Sequence, residues 1–254
     1  MTIHESLDER GVLELVMDNP TVNALPIADT RRLAEVLDGV GRRPEVTAVI
    51  LTATGRGFCA GVDIKEMQAM PANDGILGVN QACFDAFRAV YECAVPVICA
   101  VNDFCLGTGI GLAGSADIVI AAQGARFGLP EVDNGALGAA THLGRLVPEK
   151  HLRWMLYSCE PVAAEKLEEW GTVLRVVPLV ELMDTARELA AVIAAKHPVV
   201  VRAAKRSLNG IDDDPSRSYR YEQGFTFELN LRGLGEEARE AFLKGERPPN
   251  PAGE

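Results

Sequence analysis

The chain has 254 residues, 48% of them apolar and 24% charged, enough apolar material for a sizeable core. Its net charge of −11 excludes a general phosphate-backbone binder, because such affinity comes mostly from Lys and Arg neutralisation. A phosphorylated small molecule needs only a few local basic residues and stays open.

Residues 12–17 read as a first strand, ended by Asp18-Asn19-Pro20. Pro26 sits where a helix can begin, and residues 27–40 carry apolar positions at Leu33, Val36, Leu37 and Val40. Residues 47–53 form a continuous apolar run, as expected for a strand buried on both faces. A glycine-rich turn follows, then a helix opening near Asp63, and a long helix predicted over residues 76–93. That helix has Leu77, Phe84, Phe87, Val90 and Tyr91 as apolar positions. Residues 95–101 form a second buried strand, followed by another glycine turn, a helix towards Ser115 and a strand over 116–122. This β–α–β rhythm predicts a parallel sheet with right-handed crossovers. Beyond Leu146 strand patterns give way to helices, apart from residues 172–177. The expected domains are an α/β core over residues 1–195 and a helical region over 196–254, with a frayed tail from Gly245.

The start has no basic region followed by an apolar one, and no run reaches the roughly 18–20 apolar residues of a membrane helix. A cytoplasmic location is expected, with neither membrane nor nucleic-acid partner. The six cysteines form no C-x-x-C pair and the four histidines are scattered, so neither metal site nor disulfide is expected.

Three features carry chemistry. Gly55-Arg56-Gly57-Phe58-Cys59-Ala60-Gly61-Val62-Asp63 and Asn102 to Gly111 each join a buried strand to a helix start through a glycine-rich turn. Such turns leave backbone N–H groups unpaired, and two of them can converge on one thioester oxyanion. On composition alone they are equally compatible with ordinary βα connections. The third feature is Phe127-Gly128-Leu129-Pro130-Glu131-Val132, where a carboxylate after a proline can be held in a weakly solvated place that raises its pKa. A solvated turn carboxylate is the ordinary alternative, and position alone does not single Glu131 out.

These segments, in this order and spacing, resemble the crotonase (enoyl-CoA hydratase/isomerase) superfamily over essentially the whole chain. The match includes Asn19-Pro20 to Leu25, Phe58 to Met67, Pro96 to Asn102, Ala116-Asp117 and Phe127 to Glu131. The resemblance implies a spiral of ββα units, related to the ClpP fold, with a helical C-terminal region that packs trimers, often paired into hexamers. It implies an acyl-CoA thioester substrate, coenzyme A being part of the substrate and no separate cofactor being needed. It assigns the backbone N–H groups of Val62 and Thr108 to the oxyanion hole and Glu131 to catalysis. It places Ala60, Asp63, Ile64 and Lys65 along coenzyme A, with Lys65 and Arg56 as candidates for its phosphates. Asp133 and His142, close to Glu131 in the chain, are candidates for the acyl pocket or else structural residues. Tyr219, Tyr221 and Phe225 are candidates for closing a pocket, though aromatics at helical spacing more often serve a core or an interface.

The chain also departs from the family pattern. The hydratases use two glutamates around one water, and the first of these aligns with Gly111. Thr108 stands where the family usually has glycine. The aspartate nucleophile of the family's dehalogenases would fall near Ala139, and none stands there. Losing one acid/base group commonly costs about 10²–10⁴ in rate, so one-base chemistry is expected. Glu131 could shuttle a proton in Δ3-Δ2-enoyl-CoA isomerisation, or activate water against a ketone whose carbanion leaving group is conjugated to the thioester.

The runs 87–96, 135–143 and 222–231 resemble the branch of actinobacterial crotonases that hydrolytically opens ring D of a bicyclic steroid-derived CoA thioester in cholesterol catabolism. Ring opening is therefore the leading expectation. Hydration or isomerisation in fatty acid β-oxidation and a non-catalytic CoA-binding role are its alternatives.

Overall fold

The computed structural model describes residues 3–71 and 73–246. Six strands form the main sheet: β1 (Ile3–Leu7), β2 (Val12–Met17), β3 (Ala48–Ala53), β4 (Val97–Val101), β6 (Ile118–Ala122) and β9 (Arg175–Val177). β1 pairs antiparallel with β2, and every later pairing in this sheet is parallel. The short strands β5 (Cys105–Leu106), β7 (Arg126–Gly128) and β8 (Val162–Ala163) make a second, small sheet.

The continuous apolar runs have a direct cause. Successive side chains of a strand point to opposite faces, so a strand covered on both sides must be apolar throughout. In β3, Val49 and Leu51 enter the larger core under α1 (Ile27–Gly39) and α3 (Asp74–Tyr91), while Ala48 and Ile50 pack beneath α8 (Leu182–Ala194). β4 divides in the same way, with Val97, Cys99 and Val101 on one face and Ile98 and Ala100 on the other.

β1 precedes the strand expected to come first. Of its five residues only Ile3 is buried, so it is an edge strand held by the ladder to β2 and carries little apolar signal. The long helix begins two residues earlier than expected, and Leu77, expected on its apolar side, is 52% exposed. Residues beyond Leu146 include α6 (Glu149–Ser158), α7 (Ala164–Glu169) and the two-residue β8 besides β9 and α8. The residue 195/196 boundary falls between α8 and α9 (Pro198–Ile211), which is followed by α10 (Pro215–Leu231) and α11 (Leu234–Lys244). The tail expected to fray lies, from residue 247 on, outside the described residues.

The helical region is tied back to the core by a part-buried ion pair. Lys205 of α9 donates to both carboxylate oxygens of Asp117 at 2.7 Å, and Asp117 also accepts from the Val97 N–H at 2.8 Å. No described helix is long and apolar enough to cross a membrane.

Candidate active site

The two glycine turns lie side by side because their backbones bond to each other. Phe58 N–H donates to Phe104 O at 2.9 Å, and Leu106 N–H donates to Cys59 O at 2.8 Å. The second turn ends in Gly107, whose φ of +54° is a left-handed value that favours glycine. Gly107 leads directly into α4 (Thr108–Ser115). As the first helical residue, Thr108 has no carbonyl one turn back for its N–H. Val62 is free for a different reason. In the parallel bridge to Leu25, the Leu25 N–H bonds Gly61 O and the Asp63 N–H bonds Leu25 O, so the intervening Val62 N–H points away from the bridge. Val62 and Thr108 both line one cavity.

Glu131 reaches that cavity through the second sheet. β7 runs parallel to β5, Gly107 N–H donates to Gly128 O at 3.2 Å, and Leu129-Pro130 then turns the chain to present Glu131. Its carboxyl group stands over Gly107, where a Cβ would lie 2.7 Å from Oε1. Thus Gly107 both makes the turn and leaves room for the acid beside the Thr108 amide. Oε2 is enclosed and has no hydrogen-bond partner among the described residues. Burial pushes the Glu131 pKa up to about 8, opposed by its own backbone N–H and reinforced by the charge of Glu222. The solvated-turn alternative is overturned.

The rest of the wall comes from α3, from the loop before α5 (Ala140–Leu143) and from the C-terminal helices. Ile76, Val79, Asn80, Cys83 and Phe87 form one helical face of α3 against the cavity. Burial pushes the Cys83 and Cys59 thiols up to about 12, so both stay neutral and neither is a thiolate nucleophile. All six cysteines are free, and no group of three or more His, Cys, Asp or Glu among the described residues could hold a metal ion.

Gly111 is surrounded by the ring of Phe87. A Cβ on Gly111 would lie 2.0 Å from Phe87 Cζ. A side chain at this position would therefore meet an aromatic ring, which packs against His142 at 4.8 Å and Tyr219 at 5.1 Å between centroids. Ala139 lines the cavity and brings no carboxylate.

Two acyl-pocket candidates lie off the cavity. Asp133 is exposed and does not line the cavity. His142 is 1% exposed and stands behind Phe87 and Tyr219, where burial and the charge of Arg145 lower its pKa to about 3. It is a neutral packing residue. Of the C-terminal aromatics, Tyr219 lines the cavity, and burial holds its hydroxyl well above the ordinary range. Tyr221 and Phe225 pack on each other and are exposed.

A second cleft shares Ala60, Val62 and Ile64 with the cavity. It continues over Asp63, Lys65, the 19–22 turn, and Phe242 and Leu243 of α11. The Asp63 side chain caps α2 (Ile64–Ala69) by accepting from the Lys65 and Glu66 N–H groups, so its carboxylate is structural. Arg56 is exposed and does not line the cleft.

Asn80 and Arg239 are wall residues that the sequence reading missed. Asn80 had a signal, a lone amide within the apolar stripe of Ile76, Val79, Cys83 and Phe87. Arg239, on the exposed-looking α11, had none.

The family description "Enoyl-CoA hydratase/isomerase" matches residues 8–231. The chain is 51% identical over 249 residues to a Rhodococcus jostii (strain RHA1) protein, covering 98% of this chain and 96% of that one. It is 50% identical over 245 residues to a Mycobacterium tuberculosis (strain H37Rv) protein, covering 96% and 99%. Both bear the name (7aS)-7a-methyl-1,5-dioxo-2,3,5,6,7,7a-hexahydro-1H-indene-carboxyl-CoA hydrolase. Among solved structures, an enoyl-CoA hydratase/isomerase from Pseudoalteromonas atlantica T6c superposes with a TM-score of 0.86 at 25% identity, covering 98% and 100%. A family match over residues 8–231 and two relatives at 50% and 51% identity along nearly the whole chain place it in the enoyl-CoA hydratase/isomerase (crotonase) family.

Proposed function

We propose that the protein hydrolyses a carbon–carbon bond in a bicyclic, steroid-derived diketo acyl-CoA thioester, with Glu131 as its one acid/base group. The observation that carries this reading is the pairing of the enclosed Glu131 carboxyl with a Phe87 ring in the space at Gly111. A site with one carboxylate suits a reaction in which water adds to a ketone and carbon leaves as a stabilised carbanion.

In this mechanism Glu131 takes a proton from water as the oxygen attacks the ring ketone. The resulting alkoxide collapses to a carboxylic acid, the carbon–carbon bond breaks, and its electron pair is delocalised onto the thioester oxygen. The Val62 and Thr108 amides hold that oxygen, and such donors contribute most when pre-organised away from water. Glu131 then returns its proton to the carbanion. A pKa near 8 places the acid close to the pH at which both transfers are efficient.

Coenzyme A lies, in this reading, along the cleft from Ala60 to Lys65, with the Lys65 ammonium near its phosphates. Subunits assemble as trimers or paired trimers. In support, α6, α9 and α10 leave Trp154, Tyr157, Val199, Val200 and Leu231 more than half exposed.

The test supplies the purified protein with the bicyclic diketo thioester, crotonyl-CoA and a 3-enoyl-CoA, with Glu131→Ala as control. Turnover of the first alone, lost by about 10²-fold or more in the variant, supports the reading. Fast hydration of crotonyl-CoA defeats the one-base argument, and turnover of the 3-enoyl-CoA alone makes the protein an isomerase. No turnover of any substrate leaves a CoA-binding protein.

A further inference from the structure

Asn80 is 7% exposed and lines the acyl cavity, yet its amide nitrogen has no hydrogen-bond partner among the described residues. Leaving a buried donor unpaired forfeits its hydration with nothing in return, and native proteins rarely keep one without a use for it. The orientation of the amide is set by a chain of donors. Arg220, which can only donate, gives Nη1–H to Gln223 Oε1 at 3.0 Å. Gln223, itself fully buried, must then turn its NH2 towards Asn80, where it donates to the backbone O at 2.7 Å and to Oδ1 at 3.3 Å. With Oδ1 facing Gln223, Asn80 Nδ2 is left pointing elsewhere. Asn80 lies one helical turn from Cys83, whose Sγ is 3.7 Å from Thr108 Oγ1. Asn80, Cys83 and the oxyanion residues Val62 and Thr108 all line the same cavity.

The chemistry of the proposed reaction requires a donor of this kind. In the relatives' substrate the hydro and oxo positions leave one ring double bond, C3a=C4, conjugated with the 5-oxo group. When water has added to the C1 ketone and the C1–C7a bond breaks, the electron pair left on C7a spreads through C3a=C4 onto the 5-oxygen. For the thioester to share that charge its carbon must be attached at C4, next to the 5-oxo carbon, which makes the compound a β-keto thioester. The charge then rests on two oxygens, and the Val62 and Thr108 amides serve only one of them.

We propose that Asn80 Nδ2 is the donor to the second oxygen, so that the site recognises β-keto acyl thioesters and stabilises their enolates at both ends. This rests on the ring-opening reading for its physiological substrate but not for its test. Gln223 is the positioning residue that keeps the amide turned outward.

The probe is acetoacetyl-CoA, a β-keto thioester whose enolate absorbs in the near ultraviolet, with butyryl-CoA as the analogue lacking the second oxygen. Asn80→Leu removes the donor, while Asn80→Asp keeps the acceptor that Gln223 binds and guards against a folding defect. In the wild type, bound acetoacetyl-CoA should ionise at lower pH than it does free. Both variants should lose about tenfold or more in the enolate-to-keto ratio, while butyryl-CoA affinity stays within about threefold. Ring opening should fall about 10²-fold in kcat, as for loss of one oxyanion donor.

An unchanged enolate ratio in both variants overturns the proposal. So does a parallel loss of butyryl-CoA binding, which would make Asn80 a structural residue. If the wild type fails to open the ring but the enolate effect is present, the ring-opening reading falls and the Asn80 site stands. If ring opening proceeds without the enolate effect, the Asn80 proposal falls alone.

Discussion

The ring of Phe87 stands 2.0 Å from where a Cβ on Gly111 would be, so the two residues are complementary and neither can enlarge alone. A glutamate placed at Gly111 by one substitution would therefore meet the Phe87 ring. Gly111→Ala should cost about 1–3 kcal/mol through overpacking, and Phe87→Ala about 3–5 kcal/mol through loss of buried ring contacts. In the double variant the added methyl enters the vacated space, so its cost should be clearly below the sum. Urea unfolding measures all three, and strict additivity would contradict the complementarity. Gly111→Glu alone should gain no crotonyl-CoA hydration.

Glu131 must be ionised to act as a base, so kcat/KM for the ring-opening substrate should rise with pH and level off above about 8. A pH–rate profile from about 6 to 9.5 checks this. A flat profile over that range would place the titrating base elsewhere.

Two buried groups should tilt stability in opposite directions. Glu131 holds its proton in the native state up to about 8, whereas an ordinary carboxyl loses it near 4.5. The native state thus binds more protons in this window, and the Glu131 contribution is present at low pH and lost as pH rises through about 8. His142 is the reverse case, neutral down to about 3 against an ordinary 6.5, because burial opposes its charge. Its contribution is present above 6.5 and lost as pH falls through about 3. Glu131→Gln should flatten the slope between 4.5 and about 8, and His142→Phe that between about 3 and 6.5, read by thermal unfolding across pH.

Lys205→Met tests how the helical region is attached. Lys205 is buried and Asp117 keeps 19% side-chain exposure, so the lone carboxylate left behind can be partly hydrated. The expected loss is about 3 kcal/mol, the lower end for breaking a buried pair. Chemical denaturation measures it, and a change within about 0.5 kcal/mol would mean that α9 is held by packing alone.

The central sheet was legible because β3, β4 and β6 are covered on both faces and so carry unbroken apolar runs. β1 was not legible, since Ile3 alone faces the core and main-chain bonds do the pairing. β5, β7 and β8 span two or three residues each, too short for any period to register. Within the site, Glu131 and the turn amides stood out through ordered motifs. Asp133 and His142 were chosen by nearness in the chain, and the loop after Pro130 sends the one to solvent and the other behind Phe87. Asn80 was overlooked because a single amide on an apolar helix face gains meaning only once Arg220 and Gln223 are seen to orient it.

Oxygen-18 water with the bicyclic diketo thioester gives the most direct measurement of the central claim, that Glu131 drives a hydrolytic carbon–carbon cleavage. The wild type should yield a ring-opened product heavier by one water, with the label in the new carboxyl group, and Glu131→Gln should slow its formation by about 10²-fold or more. Label appearing as a hydroxyl on an intact ring, or label in the carboxyl at an undiminished rate in Glu131→Gln, would contradict the account.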